Sequence, residues 1–368
     1  MDKLASKTRF PKEILYNRLK RFQEKLKEKN IDAAMIRTLS SYAYFTGIKW
    51  LRPALLIPAE GEPVVFVANG EEEGFMEKSW LDNIVTFREG GDLMRKVSGL
   101  IRDKGYRVVG LEYGVERDAY ILFYEMFKRL NPQVEIVDVS PILDDMKMIK
   151  DKYELEAIKA AGEKARRVFN GIDEIVKPGL SETEIAGEIY RMLYSLGSEQ
   201  PQVYVNAGPY PRIHGEPFHD NRVLENTFVT IVVGADHNGY YVNKSTSIYI
   251  GEPNSKAKKI IECMEKAYDK ARELTRPGVR FIDVMKELDK IYEAYGLKEY
   301  RVEGYAHGVG LKIEETPITT IVPKHRFIVV KENMVLAYIH APIVVNGLGQ
   351  VKFEDTFIIT REGGVKIT

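Results

Sequence analysis

The chain has 368 residues, with 54 Lys or Arg against 54 Asp or Glu, so its formal charge is zero. That balance argues against nucleic-acid binding, which normally needs a basic excess, and the length favours two domains. A single cysteine, Cys263, excludes an intramolecular disulfide, a Cys-rich zinc site and an iron–sulfur cluster.

The N-terminal residues Met1 to Lys7 carry no apolar stretch of the secretory kind, and no apolar run approaches the ~20 residues of a membrane span. The expectation is a cytoplasmic protein that binds neither membrane nor nucleic acid. Abundant Lys and Glu with scarce Cys and Gln give a thermophile-like composition.

In chain order, Leu15 to Asn30 reads as an amphipathic helix with Leu15, Leu19, Phe22 and Leu26 on one face. A strand is expected at Ala33–Arg37, then a hairpin of Ala54–Pro58 and Pro63–Ala68 around Gly61. Helix–strand alternation continues through Leu93–Lys104, Val108–Glu112, Arg117–Leu130 and Val134–Val139, the pattern of an α/β domain. Gly90-Gly91 matches no phosphate-binding fingerprint. This domain, residues 1–148, reads as a scaffold or cap.

A long helix is expected from Tyr153 to about Lys177. Residues 149–368 then contain an internal repeat. Lys177-Pro178-Gly179-Leu180 opens a helical segment ending at Leu196-Gly197, and Arg276-Pro277-Gly278-Val279 opens another ending at Tyr295-Gly296. The offset of 99 residues also superposes Ile185 on Val284 and Ile189 on Leu288. Two such halves imply side-by-side sheets with outer helices and a cleft at a pseudo-twofold axis. Strands expected to line it are Phe228–Val233, Tyr240–Ile250, Met334–Val345 and Gln350–Ile359. All six histidines, His214, His219, His237, His307, His325 and His340, lie in this half, which places any imidazole chemistry here.

Three segments in order resemble one family. They are Met146-Lys147-Met148-Ile149-Lys150-Asp151-Lys152-Tyr153-Glu154-Leu155, His307-Gly308-Val309-Gly310-Leu311 and Val351-Lys352-Phe353-Glu354-Asp355-Thr356. With the repeat and the α/β domain, they make the chain similar to the creatinase, prolidase and aminopeptidase P family. The resemblance implies an α/β N-terminal domain followed by an α+β pita-bread domain with an internal pseudo-twofold repeat. It also implies Xaa-Pro peptidase-like chemistry, a small peptide or amino compound as partner, and a homodimer.

Peptidases of that family hold two divalent metals with two Asp, one His and two Glu. Here the matching positions are Val232, Asn243, His307, Ile339 or His340, and Glu354. Only His307 and Glu354 keep the family's residue type. The resemblance with these departures implies a degenerate site with no metal cofactor, or at most a single divalent ion (Mn, Co or Zn). The family's second histidine falls on Glu314.

Creatinase, in the same family, cleaves a C–N bond without metal through a histidine proton shuttle. By that resemblance the expected catalytic residues are His214, His307, Glu315 and Glu354, with His219 competing with His214. Asp355, Tyr240 and His340 are expected to contact substrate. Period-two alternation places Lys352 and Glu354 on one strand face. His237 is expected in a hairpin turn and His325 at the surface. A metal-dependent dipeptidase with atypical ligands, or a non-catalytic partner-binding paralogue, remain the alternatives.

Overall fold

The computed structural model describes residues 8–50, 52–114, 116, 120–213 and 215–368. They form two units, Met1–Met146 and Lys147–Thr368. The first opens with α1 (Lys12–Glu28), whose Leu15, Leu19, Phe22 and Leu26 are buried. There follow β1 (Ala33–Ile36), α2 (Leu39–Thr46), β2 (Leu55–Pro58), β3 (Val64–Ala68), α3 (Glu72–Lys78), β4 (Ile84–Phe87), α4 (Gly90–Asp103), β5 (Val108–Leu111), α5 (Tyr120–Leu130), β6 (Glu135–Asp138) and α6 (Ser140–Met148). The six strands make one mixed sheet in the order β4-β3-β2-β1-β5-β6. Its hairpin of β2 and β3 is the one expected around Gly61. Helix α2 escaped the periodicity argument because seven of its residues, from Ser40 to Thr46, are buried, which leaves no polar face to read.

The second unit begins with α7 (Lys152–Phe169). Asp151 caps it by accepting from the backbone N–H groups of Tyr153 and Glu154, while Glu154 accepts from the N–H of Asp151. The helix expected to reach Lys177 stops at Phe169; Gly171 interrupts it before the single turn α8 (Ile172–Ile175). Next come α9 (Glu182–Ser195), β7 (Gln202–Ala207), β8 (Phe228–His237), β9 (Tyr240–Tyr249), α10 (Ser255–Leu274) and α11 (Phe281–Ala294). The chain closes with β10 (Ala306–Gly308), β11 (Glu315–Ile318), β12 (Val335–Tyr338), β13 (Ile343–Val345), β14 (Gly349–Val351), β15 (Asp355–Thr360) and β16 (Gly363–Lys366).

The internal repeat is visible in backbone detail. A displacement of 99 residues carries α9 onto α11, end to end. Gly179 and Gly278 both take left-handed φ, 85° and 93°, and so do Gly197 and Gly296. Gly179 donates to Val223 O and Gly278 to Val330 O; Val223 and Val330 donate back to Leu180 O and Val279 O. Ile185, Ile189, Val284 and Leu288 are all buried. Each half thus clips its second helix to a following extended segment in the same way.

The sheets of this unit are β7-β8-β9, β11-β10-β12-β15-β16 and the hairpin β13-β14. The first two adjoin where Ser245 bridges Glu354 and where Asn243 exchanges hydrogen bonds with the Thr356 hydroxyl. Two expected strands are each broken in two. Ile339–Pro342 separates β12 from β13, and Lys352–Glu354 separates β14 from β15. Polar side chains in both breaks turn toward one another instead of extending a ladder.

Cys263 on α10 is buried in the apolar core of this unit, and desolvation pushes its thiol up to about 11. Among the described residues no helix is long and apolar enough to cross a membrane.

Candidate functional site

The two strand breaks, β9 and β10 bring five side chains together. His307 comes from β10, Asn243 from β9, His340 from the first break, and Lys352 and Glu354 from the second. All five are at most 2% exposed. The alternation that puts Lys352 and Glu354 on one face holds. Glycines of the His307-Gly308-Val309-Gly310 segment serve close approach: a Cβ at Gly308 would collide with the Thr316 carbonyl, and one at Gly310 with the Glu315 carboxylate.

Glu354 is the hub. Its Oε1 lies 3.2 Å from His307 Nε2 and 3.1 Å from His340 Nδ1, and its Oε2 lies 3.0 Å from Lys352 Nζ. Lys352 Nζ is also 3.2 Å from His340 Nδ1. The imidazole rings meet edge to face with centroids 4.4 Å apart. Asn243 Nδ2 is 3.2 Å from His307 Nε2 and donates to Ile313 O. Glu314 Oε1 stands 3.5 Å from His340 Nε2. His307, Glu314 and His340 each offer one donor atom, all within 4.8 Å of one another, so this cluster has the composition of a metal site.

The electrostatics follow from burial and the lysine. Burial alone would raise the Glu354 carboxyl, but Lys352, His307 and His340 hold it well below the usual carboxylate range. His340 is driven well below 6.5 by burial, then by the charges of Lys352 and His307. Burial would also lower His307, yet its hydrogen bond to Glu354 and the charges of Glu314 and Glu354 outweigh it and raise the imidazole above 6.5. These directions favour an ionised Glu354 carboxylate and a neutral His340, and make His307 the imidazole that holds its proton more firmly. Nδ1 of neutral His340 faces both Glu354 Oε1 and Lys352 Nζ, donating to the carboxylate in one tautomer and accepting from the ammonium in the other.

A pH dependence follows with two signs. His340, depressed when folded, contributes stability that is full above 6.5 and is lost as pH falls from there toward its folded pKa. Glu354 adds a loss at lower pH, below its ordinary 4.5. His307, raised when folded, contributes stability that is full below 6.5 and is lost as pH rises through its folded pKa. Urea midpoints should therefore peak near pH 6.5. His340→Asn should flatten the acid arm and His307→Asn the alkaline arm. A profile unchanged by both substitutions would reject this assignment.

A crevice leads to Lys352, lined by Tyr204, Asn206, Ile213, Thr230, Val232 and Gln350 among others. Its internal volume is about 10 Å³, room for roughly one water. Asn206 is buried; its Oδ1 accepts from the Arg212 N–H, while its Nδ2 has no partner. That orphaned donor suits a ligand bearing a carbonyl or carboxylate oxygen.

The remaining expected residues sit elsewhere or serve other partners. His214 lies outside the described residues, and His219 is exposed. Glu315 is buried and paired with Lys150 at 2.5 Å. Tyr240 donates to Glu154. Asp355 is bonded to Lys244, Tyr268, Lys366 and Thr368, beside a separate cavity of about 800 Å³ that borders α7 and α10. As neighbours in an extended segment, Glu354 and Asp355 point to opposite faces. Ile339 is in the apolar core, so His340 is the member of that pair which reaches the cluster. His237 pairs with Tyr240 across the expected turn, and His325, half-buried rather than at the surface, accepts from the Ile318 N–H. Lys352 was missed as a site residue, although the alternation already placed it beside Glu354.

Comparison with known proteins agrees with this fold. Residues 156–361 match the model of metallopeptidase family M24, and residues 18–149 that of the creatinase/prolidase N-terminal domain. A Xaa-Pro dipeptidase of Pyrococcus furiosus is 28% identical over 95% of this chain and 97% of its own. The prolidase structure from Pyrococcus horikoshii superposes with a TM-score of 0.86 at 26% identity, covering 96% of this chain and 98% of that one. The prolidase from Pyrococcus furiosus gives 0.83 at 26%, over 94% and 98%. With its α/β domain followed by a pita-bread domain, the chain belongs to metallopeptidase family M24 and to the creatinase, prolidase and aminopeptidase P branch of that fold.

Proposed function

We propose that this chain is a prolidase-like protein that binds a short peptide or a small amino or amidino compound at the Lys352 crevice, without a pair of divalent metal ions. The observation that carries this reading is the Lys352 ammonium, 3.0 Å from Glu354 and 3.2 Å from His340, inside the donor set itself. A dinuclear centre does not fit these residues. Val232 and Ile339 are apolar, Asn243 brings a neutral amide, and a buried ammonium repels further cations at this range. The relatives named Xaa-Pro dipeptidase support a short peptide as the ligand class. The orphaned Asn206 Nδ2 supports recognition of a carbonyl or carboxylate oxygen.

The chemistry these residues can supply is metal-independent C–N bond hydrolysis. Neutral His340 can take a proton from water, and cationic His307 can give one to a leaving nitrogen. The Glu354 carboxylate would orient both rings. A crevice of about 10 Å³ requires the neighbouring loop to open before a dipeptide enters.

One observation favours a second reading, a metal-dependent dipeptidase with atypical ligands: the three donor atoms of His307, Glu314 and His340 lie within 4.8 Å. Elemental analysis of purified protein, with an Xaa-Pro dipeptide assay in added Mn, Co or Zn, separates the two. The first reading expects no tightly held metal, and dipeptide binding by calorimetry that is indifferent to chelator. Stoichiometric metal with turnover that chelator abolishes would overturn it.

A further inference from the structure

We infer that Lys352 is a built-in cation that denies the site to metal, and that without its ammonium His307, His340, Glu354 and Glu314 form a single divalent-metal site. The inference rests on the metal-free reading above and assigns the residue responsible for it.

The argument starts from Glu354. A carboxylate 1% exposed needs a positive partner, because burial strips it of water. That partner can be an ammonium or a metal ion. Here the ammonium engages Glu354 Oε2 and His340 Nδ1 at once. It thereby supplies the counter-charge at one carboxylate oxygen and stands against the imidazole nitrogen that faces it. Those two atoms are among the donors a metal would need, so lysine and metal compete for the same electrons.

What remains when the ammonium is removed is already gathered. Glu354 Oε1 touches both imidazoles, at 3.2 and 3.1 Å, and donor atoms of His307, Glu314 and His340 lie within 4.8 Å. Two imidazoles and two carboxylates suit Zn, Co or Mn rather than Ca or Mg. The set is also pre-oriented: His307 Nδ1 is 2.9 Å from Gly308 O, which leaves its Nε2 facing the cluster. The space vacated by four methylenes and an ammonium opens onto the crevice beside Val232.

The test is Co(II) titration, followed by visible absorption, of the native protein, Lys352→Ala and Lys352→Gln. Native protein should take up no Co(II). Lys352→Ala should bind one ion per chain, at least about 100-fold more tightly than native. Zn should raise the unfolding temperature of the variant and leave that of the native protein unchanged. Adding His340→Ala to Lys352→Ala should abolish the uptake. Lys352→Gln keeps a hydrogen-bond donor for Glu354 and guards against a misfolded alanine variant. A variant that refolds only with Co(II) present supports the inference equally, and one that no metal rescues counts against it. If the variants fold and bind no metal, the inference falls while the metal-free reading stands. If native protein binds one ion as tightly as the variants, or binds two, both fall.

Discussion

Glu354→Ala should cost about 3–5 kcal/mol of folding stability, because it leaves the Lys352 ammonium buried with no counter-charge. The substitution also removes the oxygen 3.2 and 3.1 Å from His307 and His340, so two imidazoles lose a partner in the same step. Surface carboxylates in this chain differ in kind. Glu188, on the surface and paired with Arg191 one helical turn away, should have little effect when replaced. The double substitution Lys352→Met with Glu354→Leu should recover most of the loss, since a buried ion pair exchanged for apolar groups of similar volume is close to neutral. Urea denaturation of the three proteins decides the matter. A Glu354→Ala cost below about 1 kcal/mol would show that water reaches the cluster and that the ammonium is not held by this carboxylate.

The second large effect belongs to Glu182, which begins α9 and is fully buried. Its carboxylate accepts from the N–H groups of Ala207 at 2.8 Å and Phe218 at 2.7 Å, from Asn221 Nδ2 at 3.3 Å, and through both oxygens from Arg212 Nη2. One helix-terminal side chain thus ties Ala207, Arg212, Phe218 and Asn221 together. Arg212 is further held by the Glu216 carbonyl and by the Phe218 ring, 4.1 Å from its guanidinium carbon. Glu182→Ala should cost about 3–5 kcal/mol, as an orphaned guanidinium and two orphaned N–H groups remain. Because Ile213 and Gly215 of this loop line the Lys352 crevice, the variant should also gain proteolytic cleavage and faster amide exchange within 207–221. Protection unchanged in that segment would show that the loop is held by something other than Glu182.

Much of the fold was legible because its periodicities are clean. The Leu15, Leu19, Phe22 and Leu26 stripe and the matched Pro-Gly openings each correspond to a physical constraint, a buried helix face and a left-handed glycine. Helix α2 was not legible, since a segment buried on nearly all sides shows no contrast between faces. The broken strands were misread for a related reason. A run such as Met334 to Val345 is apolar enough to continue a strand, and only the three-dimensional meeting of His340 with Glu354 and Lys352 shows why it does not. His307 and Glu354 could be found by motif. Their partner Lys352 could not, because spacing indicates which face a side chain takes and says nothing of what stands 3 Å beyond it.

The chain's one thiol has a bearing on how the protein ages. Two copies can be joined by a disulfide only through Cys263 to Cys263, and in the folded state that sulfur is buried on α10 with its thiol pushed up to about 11. Air oxidation therefore has no nucleophile to work on until the helix lifts away. Cross-linked material accumulating in a stored sample would be a record of past openings of the C-terminal unit, written one bond at a time.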